Sequence, residues 1–174
     1  MGLLMYSAHV HNLIHRKYEL EKKLLDINKQ YEDLHKYAER VGKGNMTLSD
    51  MLSMPSSMMG RAMNFIGFTH NNAMQYATTQ GPQYEQWMMM QNGGMQDPQQ
   101  AQMMHNYIMT QLYYQAREQA AELEKRNLNE IDRELQEQKE ELETDLKIVE
   151  EELKTYKQQK NEAIKDIVPN FGNG

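Results

Sequence analysis

Apolar residues recur every three or four positions through the opening of this chain: Leu3, Tyr6, Val10, Leu13, Leu20, Leu24, Ile27, Tyr31, Leu34, Ala38 and Val41. Only Lys17 breaks the row chemically, and its long aliphatic stem can lie along an apolar seam. A heptad pattern sustained this far predicts a coiled-coil helix over residues 1–41. Gly42-Lys43-Gly44 ends it, because glycine readily takes the left-handed conformation that closes a helix.

A second row closes the chain: Leu128, Ile131, Leu135, Gln138, Leu142, Leu146, Val149, Leu153, Tyr156, Lys160, Ala163 and Ile167. Its helix can begin much earlier. Asp97 can cap, Pro98 suits the first helical position, and no proline or glycine follows until Pro169. One helix is therefore expected over 98–168, followed by a tail at 169–174. Between Leu135 and Val149 the steps run 3, 4, 4 and 3, a stutter that relaxes a left-handed supercoil. The seams at 3–41 and 128–167 match in length. They predict an all-α fold built as a long antiparallel helical hairpin, a coiled-coil stalk. Residues 98–127 are apolar over most of the helix surface and must pack against something else.

The cover expected for them is a small Met/Gln-rich helical head over residues 42–97. Thr47 to Asp50 resembles a capping box, and Pro55 stops or restarts the chain. Met59, Ala62, Met63, Ile66, His70, Ala73, Met74 and Ala77 then recur at helical spacing up to Gly81-Pro82. A brief segment with Tyr84, Trp87 and Met88 should follow, ending at Gly93-Gly94, with a polar disordered tract over 80–100 as the alternative. The head is thus expected to consist of short helices.

Composition sharpens this picture. Of 174 residues, 16 are methionine and none is cysteine, and 11 of the methionines fall between Met46 and Met95. Large aliphatic residues and Phe make up under a fifth of the chain, too few for an ordinary α/β enzyme core. The absence of cysteine removes disulfides, zinc-cysteine sites and thiol nucleophiles. Acids outnumber bases 25 to 19, for a net charge of -6, and the lysines alternate with acids, which disfavours nucleic acid. No cleavable signal or membrane-spanning run is expected, which leaves a cytoplasmic, virion or signal-independent export route open. Contact of Met58–Phe68 with a bilayer is disfavoured by the lack of a basic polar face.

Candidate chemistry is sparse. His9, His11 and His15 form H-x-H-x3-H, and His11 and His15 stand one helical turn apart, a spacing that can present two metal ligands, but no acidic residue lies within the run as a third ligand. A solvated face explains them better, and His70 and His105 read as packed head residues. Met51 with Met54, or Met88-Met89-Met90 with Met95, could offer thioethers to Cu(I). Unbranched methionine equally fills gaps and lines adaptable contact surfaces, and the helical periodicity favours that use. No catalytic motif appears, and no cofactor is expected. The reading is a non-enzymatic structural or assembly subunit that self-associates through its stalk, as in a filament, secretion apparatus or virion. The alternative is an export chaperone or adaptor that binds partner proteins through its head. The stalk contact residues are Leu3, Val10, Leu13, Leu20, Leu24, Ile27, Tyr31 and Leu34, with Leu128, Ile131, Leu135, Leu142, Leu146, Val149, Leu153, Tyr156 and Ile167 opposite. The candidate partner-contact residues are Met58, Met59, Met63, Phe65, Trp87, Met88, Met89 and Met90.

Overall fold

The computed structural model describes residues 3–43, 46–91 and 97–167. Among them the chain forms four helices and no strand: α1 (Leu3–Gly42), α2 (Leu48–Leu52), α3 (Ser56–Gln91) and α4 (Pro98–Ile167). The long α1 and α4 pack against each other. The helix ends follow from local chemistry. α1 stops at Gly42. The Thr47 side chain accepts from the Asp50 backbone N–H, and the Asp50 carboxylate accepts from the Thr47 backbone, which completes the expected capping box. The Asp97 carboxylate accepts from the Gln99 backbone N–H at 2.9 Å, and Pro98 occupies the first helical position.

The chain divides into two compact units, one of Met1–Tyr31 with Arg133–Gly174 and one of Glu32–Asp132. In the first, α1 and α4 run antiparallel. The His9 ring lies 4.6 Å from that of Tyr156, Lys17 donates to Glu150 at 2.7 Å, and Gln136 donates to the Tyr31 hydroxyl at 3.1 Å. Rising numbers on one helix therefore meet falling numbers on the other. Val10, Leu13, Leu20, Val149 and Leu153 form its buried core, with Ile14, Leu142, Leu146 and Tyr156 partly buried against them. Ile27 and Leu135 are also buried, and Leu24 and Tyr31 are half-buried. Each Leu or Val taken fully out of water contributes roughly 1.5–3 kcal/mol. Lys17 is half-buried, with its ammonium held by Glu150, so the one charged member of the row is accommodated at the edge of the core. The side chains of Leu3 and Ile167 lie outside the described residues, as do Gly93, Gly94, Met95 and the 169–174 tail.

The second unit packs the last turns of α1 with α2, α3 and the first half of α4. Leu34, Tyr37 and Val41 of α1 are buried together with Ala121 and Leu128 of α4, and Ile131 is half-buried. Tyr37 has no solvent exposure, whereas Ala38, expected in the row, is half-buried. The larger ring takes the position one residue earlier.

α3 departs from expectation in two ways. It is one 36-residue helix through Pro82, not short pieces. A residue before proline normally avoids the helical region because its Cβ meets the proline ring, and Gly81 has no Cβ. The Thr78 carbonyl, deprived of its donor by Pro82, belongs to an exposed turn where water can serve it. Residues 80–91 are therefore helical, and 92–96 lie outside the described residues. The second departure concerns the buried stripe of α3, which is small: Ala62, Thr69, Ala73, Ala77 and Gly81. Met59, Met63 and Met74, expected on the same inner stripe, are exposed. At one end of the stripe the Met109 side chain takes the space a side chain would need: a Cβ at Gly81 would stand 2.8 Å from the Met109 sulfur. The buried Thr69 hydroxyl is satisfied locally, donating to the Phe65 carbonyl at 2.7 Å.

Candidate functional site

The second unit is organised around one polar cluster. The Tyr37 hydroxyl of α1 donates to Glu124 of α4 at 2.9 Å, and Arg61 of α3 donates to the same carboxylate oxygen at 2.7 Å. The Arg61 guanidinium also lies 5.9 Å from the centre of the Tyr37 ring. Burial and the neighbouring Glu124 carboxylate push the Tyr37 phenol well above its ordinary pKa, and the hydrogen bond to Glu124 holds Arg61 charged. Three helices are thereby tied by one carboxylate. Arg40 pairs with Asp50 of α2 at 2.9 Å, and Arg117 donates to the Met46 carbonyl, which fixes the connection between α1 and α3. The arrangement positions helices and holds no exposed nucleophile.

Outward from this cluster the unit loses its charge. No ionised side chain occurs between Arg61 and Glu85 on α3, or from Pro98 to Ala116 on α4. Arg61 is paired with Glu124, and Glu85 with the ring of His105. The uncharged surface is rich in exposed large apolar groups, among them Met63 at 64%, Trp87 at 55% and Met90 at 73% exposure. Of the other partner-contact candidates, Met59 and Met89 are exposed, Met58 and Phe65 are half-buried, and Met88 packs against the Ala77–Ile108–Leu112 cluster. The methionines are thus split: Met46 and Met54 are core, while most of those on α3 face outward.

One flank of α3 and α4 forms a groove of about 430 Å³, with Tyr76, Ala116 and Ala120 in its lining and exposed Phe68 and Leu123 beside them. Gln80 also lines a second hollow of about 380 Å³, bounded by Gln83, Tyr84 and Trp87. Their polar lining consists of amides and hydroxyls, with no ionised group. Residue chemistry in the sequence signals methionine here, but the groove depends on which side of α3 faces α4. That side is set by the small stripe, which apolar periodicity alone does not single out.

In the first unit, α1 carries a second apolar row: Leu4, Tyr18 and Leu25 are 87%, 66% and 69% exposed. They fall at multiples of seven residues, so they share one face of the helix, turned away from the buried row. His11 lies on the same face and His15 is held by Glu19 at 3.4 Å. His70 and His105, expected to be packed, are exposed; His70 Nδ1 meets the Tyr113 hydroxyl at 2.9 Å. Among the described residues, no group of three or more His, Asp or Glu side chains is arranged to hold a metal ion, and no helix is long and apolar enough to cross a membrane. No protein-family model, no curated protein and no solved structure matches this chain.

Proposed function

We propose that the protein is a non-enzymatic structural or assembly subunit, and that α1 and α4 of its first unit form a coiled-coil stalk through which copies associate. The observation that carries this reading is the second row on α1. A lone helical pair has no use for Leu4, Tyr18 and Leu25 in water at heptad spacing, whereas a neighbouring stalk would bury them. On this reading the chain would serve as a subunit of a filament, a secretion apparatus or a virion. Light scattering after size-exclusion chromatography tests the reading. The wild-type chain should run as an oligomer at tens of micromolar, and Tyr18→Glu with Leu25→Glu should shift it to smaller species without loss of helical circular dichroism. A wild-type chain that is monomeric, or a double variant with unchanged mass, overturns it.

A second reading, a chaperone or adaptor whose Met-rich helical head grips partners, is favoured by the outward methionines of α3. Adaptable thioethers suit surfaces that accept more than one partner. Electron microscopy of the purified chain separates the two readings. An assembly subunit forms ordered homo-oligomers alone, and an adaptor stays small.

A further inference from the structure

We propose that the groove beside α3 is a homotypic interface, closed by α3 of a second copy of this chain lying antiparallel across a two-fold axis. This contact is separate from the stalk contact proposed above and does not depend on it.

Two independent features of the groove select that occupant. The first is charge. The groove's lining carries amides, hydroxyls and aromatic rings with no ionised group, and its rims are Phe68, Leu123 and Trp87. A charged helix laid into it would bury ions with nothing to pair them, which is costly. The chain itself has a net charge of -6, so two copies repel over most of their surfaces. The groove-lining positions of α3 carry no formal charge at neutral pH, so two copies of that face can be apposed without that penalty; Glu85, the one ionised residue within the paired stretch, is not in the lining and is paired with His105.

The second feature is the order of side chains along α3. In a two-fold antiparallel pair, contacts match residue i with a residue whose number makes a constant sum with i. Of the nine groove-lining positions of α3, eight are symmetric about the point between Ala77 and Thr78; the ninth, Tyr84, falls opposite Asn71. Phe68 falls opposite Trp87 of the second copy, Asn72 opposite Gln83, Gln75 opposite Gln80, and Tyr76 opposite Thr79. Each match joins like chemistry: two exposed aromatic rings at the ends, amides with amides, and a phenol with a hydroxyl near the axis. Amide pairs satisfy both partners because each carries a donor and an acceptor. The aromatic pairs, one at each end, are the anchors expected of a small interface. The paired segment, from Phe68 to Trp87, is roughly 28 Å long at the helical rise.

The chain has no cysteine, so introduced thiols report on this geometry without background. Asn72→Cys and Gln83→Cys are conservative changes at exposed positions. On oxidation, a mixture of the two full-length variants should give a covalent dimer containing one of each. Either variant alone should give at least about tenfold less, because its thiols would lie roughly 16 Å apart along the axis. Phe68→Glu added to both should abolish the mixed disulfide while leaving the circular dichroism unchanged. Equal cross-linking of the single variants, or no cross-linking of the mixture at concentrations where the chain is oligomeric, overturns the proposal. Adding Leu25→Glu to both thiol variants keeps the two contacts apart. The mixed disulfide should survive it, whereas an assembly that depends on the stalk contact alone would lose it.

Discussion

Tyr37 is the residue whose chemistry most constrains the second unit. It is fully buried, and its phenol has one useful partner, the Glu124 carboxylate that also holds Arg61. Tyr37→Phe leaves that carboxylate paired with Arg61, so the variant should fold and lose about 1 kcal/mol at neutral pH, read by denaturant unfolding. The pH dependence follows from the raised phenol pKa. The folded state favours the neutral phenol, so this contribution is full below the ordinary tyrosine pKa of ~10. It is lost as pH rises above that value, because the unfolded chain then ionises first. The stability gap between wild type and Tyr37→Phe should therefore narrow above pH ~10. A gap that is constant or widens across that range contradicts the geometry of the cluster. None of this was legible in the sequence. Ala38 and Tyr37 both continue the apolar row, and only the approach of α3 and α4 decides that the ring goes inside.

Pro82 and Val149 show how the elements are held. In α3, tertiary contacts override a proline that would normally end the helix, and the preceding glycine lowers the steric cost. Pro82→Ala restores the missing donor at an exposed position, so it should stabilise the unit, by up to about 3 kcal/mol, with a matching rise in melting temperature. An unchanged or lowered midpoint would mean that the proline relieves strain in the bound helix pair. In the first unit, Val149 is fully buried against Val10, Leu13 and Leu20. Val149→Asp would place an ionised group there and should remove most of the paired helicity seen by circular dichroism. Retention of the wild-type spectrum and midpoint would be inconsistent with that core. Helix starts, by contrast, were readable directly: the Thr47–Asp50 box and Asp97-Pro98 each act through neighbours within a few residues. Long-range contact is irrelevant to such signals.

For the molecule as a whole, the relevant quantities are net charge and unburied apolar surface. Copies carrying -6 repel, while the contacts proposed at the α1 row and the α3 groove would rest on apolar and amide groups that salt does not screen. Raising ionic strength from ~0.1 M to ~1 M shortens the screening length from ~10 Å to ~3 Å. Assembly should therefore strengthen with salt, seen as a shift to higher mass in light scattering at fixed protein concentration. Dissociation by salt would point instead to a contact made by opposite charges.

The sequence by itself determined the helical class, the caps at Thr47 and Asp97, and the apolar spacing along α1 and α4. These depend on spacing and on chemistry within one or two turns. Only the tertiary structure decided which stripe of α3 turns inward. Ala62, Ala73, Ala77 and Gly81 carry little hydrophobic signal, yet they form the buried face, and at Gly81 the Met109 side chain occupies the space a Cβ would take. That choice puts Met59, Met63 and Met74 on the surface, sets the groove beside α3 and brings Arg61 to Glu124. A periodicity of apolar residues ranks side chains by their cost in water, and it cannot register where a small residue makes room for a neighbour's side chain.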